Sequence, residues 1–230
     1  MTTVLLVRHG RTTANSSGVL AGWTPGVGLD DSGREQVAAL GRRLAAVPMA
    51  GVVSSPLDRC LQTATALVDG RADTEVSTDE RVGEVHYGDW TGGELKKLAK
   101  YPLWKVVQAH PSAVTFPGAN GEAMAAMQQR AVGAVREWNQ RFGPDATYAV
   151  VSHGDVIKAV LADALGVHLD QFQRIVVNPA SLSVVQYSPL RPFVERMNDS
   201  GSPVDGLVPK RRRRARKRSS DADVGGGAGR

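Results

Sequence analysis

The residues of this chain best suited to chemistry fall in three short segments, Arg8-His9-Gly10, Ser54-Ser55-Pro56-Leu57-Asp58-Arg59 and Ser152-His153-Gly154. Each follows directly on a short apolar run. Two arginines and two histidines brought to one place make a compact pocket for a phosphate dianion, because guanidinium forks match its oxygens. Taken singly, none of the segments establishes such a pocket. An Arg-His pair after a strand is most often a solvated turn, a His-Gly can open a helix with its imidazole bonded to backbone, and Arg59, early in a helix, is by default a surface residue. The weight lies in their joint occurrence.

Those segments must be positioned by the elements before them. Val4-Leu5-Leu6-Val7, opened by Thr2-Thr3, reads as a buried strand, and so do the runs around Val52-Val53 and Tyr148-Ala149-Val150-Val151. Helical patterns lie between them. Val37, Leu40, Leu44 and Val47 recur at spacings of three or four behind the cap candidates Asp31 and Ser32, and further helices are expected at 57–69, 121–142 and 154–165. Apolar strands without polar alternation, separated by amphipathic helices, imply a three-layer α/β/α sandwich around a mostly parallel central sheet. Leu182–Tyr187 adds a late strand, and 91–118, punctuated by Pro102, Pro111 and Pro117, reads as a helical insertion. Ligands of such a sheet sit beyond the carboxyl ends of its strands, where helix N-termini and loop amides also gather. All three segments lie at such ends.

Composition narrows the classes further. With 230 residues, 42% hydrophobic and 22% charged, the chain has apolar material for a sizeable core. Runs such as Val4–Val7 and Ala149–Val151 are far shorter than the roughly 20 residues of a membrane helix. The single cysteine, Cys60, cannot form an internal disulfide and reads as a small buried hydrophobe, which fits a reducing cytoplasm. Since Cys and His are not clustered at ligand spacings, neither a metal site nor another cofactor is expected. The net charge of +5 resides in the tail: residues 206–230 hold nine Lys and Arg against Asp221 and Asp223, while the other 205 residues carry 19 basic and 21 acidic side chains. A domain over 1–200 and a disordered, basic Gly/Ser/Arg-rich tail over 201–230 are therefore expected. Eight of the nine residues at 210–218 are basic, so nucleic acid or another polyanion is a candidate partner there alone, although no aromatic residue is interleaved.

The segment LLVRHGRTTAN resembles the signature of the histidine phosphatase superfamily, the phosphoglycerate-mutase-like proteins. Later segments follow in the family's order: SSPLDRCLQTA resembles its second phosphate-binding segment, ERVGEVHYGDWTG its acid-bearing loop and VVSHGDVIKAV its second-histidine segment. The likeness spans about residues 2–190. It implies that His9 is the nucleophile, that Arg8, Arg59 and His153 hold phosphate, and that Glu84 donates the proton. Asn15 falls where the first motif ends in a residue that touches substrate, and Gly22-Trp23-Thr24 resembles a mutase substrate loop. PGANGE is similar to the Pro-Gly-Gly-Glu stretch before a long helix, but Ala119-Asn120 interrupts it, so it supports a helix start rather than a substrate role for Glu122. Gly88, Trp90 and Gly92 read as shaping the loop of Glu84, and His86 as bordering the site.

These roles make physical demands. Neutral imidazole attacks phosphorus only if one ring nitrogen keeps its proton on an acceptor while the other faces the substrate. Positioned cations stabilise the charge on the transferring phosphoryl group. Glu84 can protonate a leaving alkoxide only if burial or nearby negative charge raises its pKa toward neutrality. The resemblance implies a metal-independent phosphatase acting on a small phosphorylated substrate, with a phosphomutase as the alternative and a homodimer left open. The family's mutases have a longer stretch between acid loop and second histidine; here Glu84 and His153 are 69 residues apart, which favours hydrolysis. A polyanion-binding protein acting through 210–218 is the reading from another class.

Overall fold

Alternate residues of one strand, β1 (Thr2–Arg8), are buried on opposite faces of the sheet, and this divides the molecule into layers. Val4 and Leu6 join Tyr148 and Val150 in one core, while Leu5 and Val7 join Ala149 and Val151 in the other. The computed structural model describes residues 1–201; the expected tail beyond Gly201, with its basic cluster at 210–218, lies outside the described residues.

From β1 the chain runs through α1 (Thr13–Ser17), α2 (Asp31–Leu44), β2 (Val52–Ser54), α3 (Asp58–Val68) and β3 (Val76–Thr78). A loop with one-turn 3-10 helices at Glu80–Val82 and Gly88–Trp90 follows, then α4 (Leu95–Leu98) and α5 (Pro102–Ala109). The chain returns to the sheet through α6 (Met124–Phe142), β4 (Thr147–Ser152) and α7 (Gly154–Leu165), and a hairpin of β5 (Leu182–Tyr187) and β6 (Pro192–Asp199) completes it. The strand order is β3-β2-β4-β1-β5-β6. The first four strands are parallel and the last two antiparallel. Helices α2 and α3 cover one face through Leu40, Leu44, Ala64 and Leu67, and α6 and α7 cover the other through Met127, Ala131, Ile157 and Val160. This is the three-layer sandwich expected from the alternation of apolar strands and amphipathic helices. Among the described residues no helix is long and apolar enough to cross a membrane.

Boundaries differ where side chains or bridges compete. Asp30, rather than Asp31 or Ser32, caps α2: its Oδ1 accepts from Gly33 N at 2.7 Å while its Oδ2 accepts from Arg11 Nε at 2.8 Å. Helix α6 starts at Met124 rather than 121, because Gly121 and Ala123 are held in β-bridges to Tyr87 and Thr115.

The start of α2 presses on the loop that leaves β1. A Cβ on Gly33 would lie 2.0 Å from Arg11 O, and one on Gly10 would lie 2.7 Å from Gly33 O. In an open helix Gly→Ala gains about 1 kcal/mol, but here the added methyl meets backbone that cannot turn aside. Gly33→Ala is expected to lose about 1–3 kcal/mol in urea denaturation; a more stable variant would contradict the close approach.

Candidate active site

Strand β4 lies between β2 and β1, so their three carboxyl ends are neighbours. Arg8 pairs in register with Ser152 and Ser54 with Val151. His9 and His153 therefore leave adjacent strands together, with ring centroids 5.3 Å apart. Arg59, in the first turn of α3, is 2% exposed. Its Nη2 donates to Gly22 O at 2.8 Å and lies 3.3 Å from His153 Nδ1. Arg8 Nη1 donates to Val177 O at 2.7 Å. Arg8 Nε and Arg59 Nη1 are buried without a hydrogen-bond partner. The chain thus brings Arg8, His9, Arg59 and Glu84 to the wall of one cavity of about 540 Å³, with His153 fully buried directly behind it.

Burial, then the charges of Arg59 and Arg8, hold the His9 imidazole well below its ordinary pKa, against a smaller opposing effect of its bond to Gly10 O. The ring is neutral. Its Nδ1 is 2.7 Å from Gly10 O, which can only accept, so Nδ1 carries the proton and Nε2 keeps its lone pair. His153 is lowered likewise, by burial first and Arg59 next. A guanidinium can only donate, so His153 Nδ1 accepts from Arg59 and its Nε2–H points to Ser55 Oγ at 2.8 Å. Glu84 Oε2 is 3.6 Å from His153 Nδ1. Burial foremost, and then the Asp155 charge, push its carboxyl up to about 7 against the pull of Arg59 and Arg8. Cys60, fully buried, has its thiol pushed up to about 12 by that burial.

The expected substrate residues divide. Asn15 and Gly22 line the same cavity as His9, Gly22 also receiving Arg59 through its carbonyl. Asn15 Oδ1 turns back to accept from Thr12 N at 3.1 Å, capping α1. Trp23 and Thr24 face an adjoining cleft of about 960 Å³, together with His86. There the Trp23 and His86 rings stack at 4.5 Å, and Trp23 Nε1 donates to Glu84 O at 2.7 Å. The wall between the two spaces is the backbone that carries Glu84. Gly88 (φ +55) shapes that backbone, since a Cβ there would lie 1.9 Å from Pro117 O. Among the described residues no group of three or more His, Cys, Asp or Glu is placed to hold a metal ion.

Comparison with known proteins agrees with this geometry. The family model described as histidine phosphatase superfamily (branch 1) matches residues 4–200. The chain belongs to that superfamily. It is 29% identical over 205 residues to phosphoserine phosphatase 1 of Hydrogenobacter thermophilus, covering 86% of this chain and 92% of that one. It is 33% identical over 177 residues to a glucosyl-3-phosphoglycerate phosphatase of Mycolicibacterium vanbaalenii, covering 74% and 76%. The solved structure of Bacillus stearothermophilus YhfR superposes with a TM-score of 0.79 at 30% identity, over 87% of this chain and 98% of that one. Family and relatives together support phosphatase or phosphomutase activity.

In this member of the superfamily the loop that carries Glu84 is held chiefly by Arg130, which the sequence did not single out. Arg130, on α6, donates through Nη1 to Arg81 O and Gly83 O, at 2.7 and 2.9 Å, and through Nη2 to Glu84 O at 3.0 Å. The same guanidinium binds both oxygens of Glu122, at 2.6 and 2.8 Å, and Glu122 Oε2 accepts from His86 N at 3.2 Å. Ser152 Oγ adds a bond of 2.6 Å to Val82 O, tying the loop to β4. An arginine eight residues after an acid has no pattern that marks it in a helix. Tyr87 completes the wall, its hydroxyl donating to Asp155 Oδ2 at 3.1 Å. Removing Arg130 takes the guanidinium from the carbonyls of Arg81 and Gly83, leaves Glu84 O to Trp23 alone, and strips the half-buried Glu122 carboxylate of its counter-charge. Arg130→Ala is expected to lose about 2–4 kcal/mol in denaturant unfolding, and a loss within about 0.5 kcal/mol, the range of surface substitutions, would show that the clamp does not hold the loop.

Proposed function

We propose that the chain is a metal-independent phosphomonoesterase that works through a phosphohistidine on His9, with Glu84 as proton donor. One observation carries the reading: a buried, neutral His9 whose Nδ1–H is tied to Gly10 O, beside two guanidiniums with buried N–H groups left unbonded. Such a pocket suits a phosphate dianion, which would satisfy those groups and offset their charge.

In this reaction His9 Nε2 attacks phosphorus as the bond to the ester oxygen breaks, and Glu84 gives its proton to that departing oxygen. Arg8 and Arg59 neutralise the equatorial oxygens. Glu84, now a carboxylate, takes a proton from water as that water attacks the phosphohistidine; the P–N bond breaks, phosphate leaves and His9 is restored. A carboxyl pushed to about 7 suits both halves of the cycle near neutral pH. Hydrolysis is favoured over phosphoryl return because a bisphosphorylated intermediate needs a second anion site. Among the described residues the one cation lining the cavity besides Arg8 and Arg59 is Lys158, which lies 3.5 Å from Asp155 Oδ1 and 3.2 Å from Gln173 Oε1.

Rapid quenching should trap acid-labile phosphate on His9, and His9→Ala should lower kcat at least about 10³-fold with melting temperature retained. A chelator should leave turnover unchanged. Phosphate trapped elsewhere, or release of an isomerised ester without free phosphate from 3-phosphoglycerate, would overturn the reading.

Glu84 is protonated below about pH 7 and loses its proton above it. For alkyl phosphates kcat/KM should therefore fall as pH rises through that value, while aryl phosphates, whose leaving groups need less protonation, should respond weakly. Glu84→Gln should cost alkyl esters about 10²-fold or more and aryl esters less than about tenfold. An equal loss on both would assign Glu84 to binding alone.

A further inference from the structure

The outer wall of the His9 cavity has a character that phosphoryl transfer by itself does not require. Much of it is apolar, made by Val19, Leu20, Leu95, Ile175 and Val176. Into this wall projects one carboxylate, Asp155, two residues after His153 in the first turn of α7. Its side chain is 30% exposed, with Oδ2 accepting from Tyr87 OH at 3.1 Å and Oδ1 3.5 Å from Lys158 Nζ. Lys158 also donates to Gln173 at 3.2 Å and stands 5.3 Å from the centre of the Phe172 ring, and its ion pair with Asp155 offsets part of the charge of each.

We infer that Asp155 is a specificity-determining residue, restricting the enzyme to phosphate esters of uncharged or amine-bearing alcohols and turning away alcohols that carry a carboxylate or second phosphate. The inference rests on the phosphatase reading and names the substrate class of the same site. If Glu84 protonates the ester oxygen, the first carbons of the alcohol must lie beside Glu84. The Asp155 charge is felt there, because it is the largest charge effect raising Glu84. An anionic substituent one or two carbons from the ester oxygen would face that carboxylate in a partly dry cavity, where like charges repel more strongly than in water. An ammonium at the same place would be drawn in. Among the described residues the side-chain donors beside the apolar wall include Asn15, Gln173 and Lys158, of which Lys158 lies 3.5 Å from Asp155 Oδ1 and Gln173 Nε2 donates to Val107 O at 3.4 Å.

Matched substrates isolate the effect. Phosphoethanolamine and O-phosphoserine differ by one carboxylate; glycerol 3-phosphate and 3-phosphoglycerate differ by a hydroxymethyl group against a carboxylate. In each pair the wild-type kcat/KM should favour the carboxylate-free member by about tenfold or more. Asp155→Asn should shrink both ratios to within about threefold, mainly by improving the acidic member; because any effect on Glu84 falls on both members, the ratio removes it. Preference for the acidic member, abolished by Lys158→Gln, would show that Lys158 receives the carboxylate and would overturn the inference, as would ratios that Asp155→Asn leaves unchanged. The wild-type ratios decide even if a variant fails to fold. p-Nitrophenyl phosphate serves as reference: if the wild type does not hydrolyse it, the phosphatase reading fails and takes this inference with it, whereas hydrolysis with reversed ratios sinks the inference alone.

Discussion

Two guanidinium groups, that of Arg59 buried and that of Arg8 half-buried, meet at the carboxyl ends of the strands with no carboxylate within ion-pair distance among the described residues, and the rest of the site depends on that. Arg8 rests on the carbonyl of Val177 and Arg59 on that of Gly22, both neutral acceptors, and each keeps a buried N–H without a partner. Desolvating such groups costs several kcal/mol each unless they are paired. The surplus positive charge adds to burial in keeping His9 and His153 neutral. It also pulls Glu84 toward ionisation, and only burial and Asp155 together bring that carboxyl up to about 7. Glu84, His9 and His153 thus have protonation states set by one another and by the two arginines. A change in any of these charges reaches all of them.

Such a cluster persists only if its supports do not yield. Parallel strands β1 and β4, buried on both faces, deliver the two histidines in register. The backbone of α2 abuts the loop after His9 closely enough to exclude a Cβ at Gly10 and Gly33. On the other side the Glu122–Arg130 pair and Ser152 grip consecutive carbonyls of the acid loop. The carbonyl of Glu84 accepts from both Arg130 and Trp23, so its side chain is aimed by the back of the wall that separates the cavity from the neighbouring cleft.

The parts of this arrangement that show in the sequence are those with a local pattern. Val4–Val7 and Tyr148–Val151 are continuously apolar because both their faces are covered, and the helix at Gly154–Leu165 follows from its own periodicity. Strand β3, three residues paired only to β2, and β6, a half-exposed strand at the edge rich in Glu, Arg, Asn and Asp, have no such pattern and exist through their partners. The strand-end residues Arg8, His9, Arg59 and His153 were legible as a set, and Glu84 only through family likeness. Arg130, Tyr87, Asp155 and Ser55 were not, since each acts across a long sequence separation on groups already chosen. Trp23 and Thr24 were expected with Gly22, but the chain turns at Gly22 (φ +52) and sends them into the adjoining cleft.

The protonation state of His9 is where the account is most exposed. Nitrogen-15 NMR of the histidine side chains across a pH series reads it directly. His9 should stay neutral, with its proton on Nδ1, well below the pH at which an ordinary histidine takes up a proton. A His9 that titrates at the ordinary midpoint near 6.5, or that carries its proton on Nε2, would contradict it.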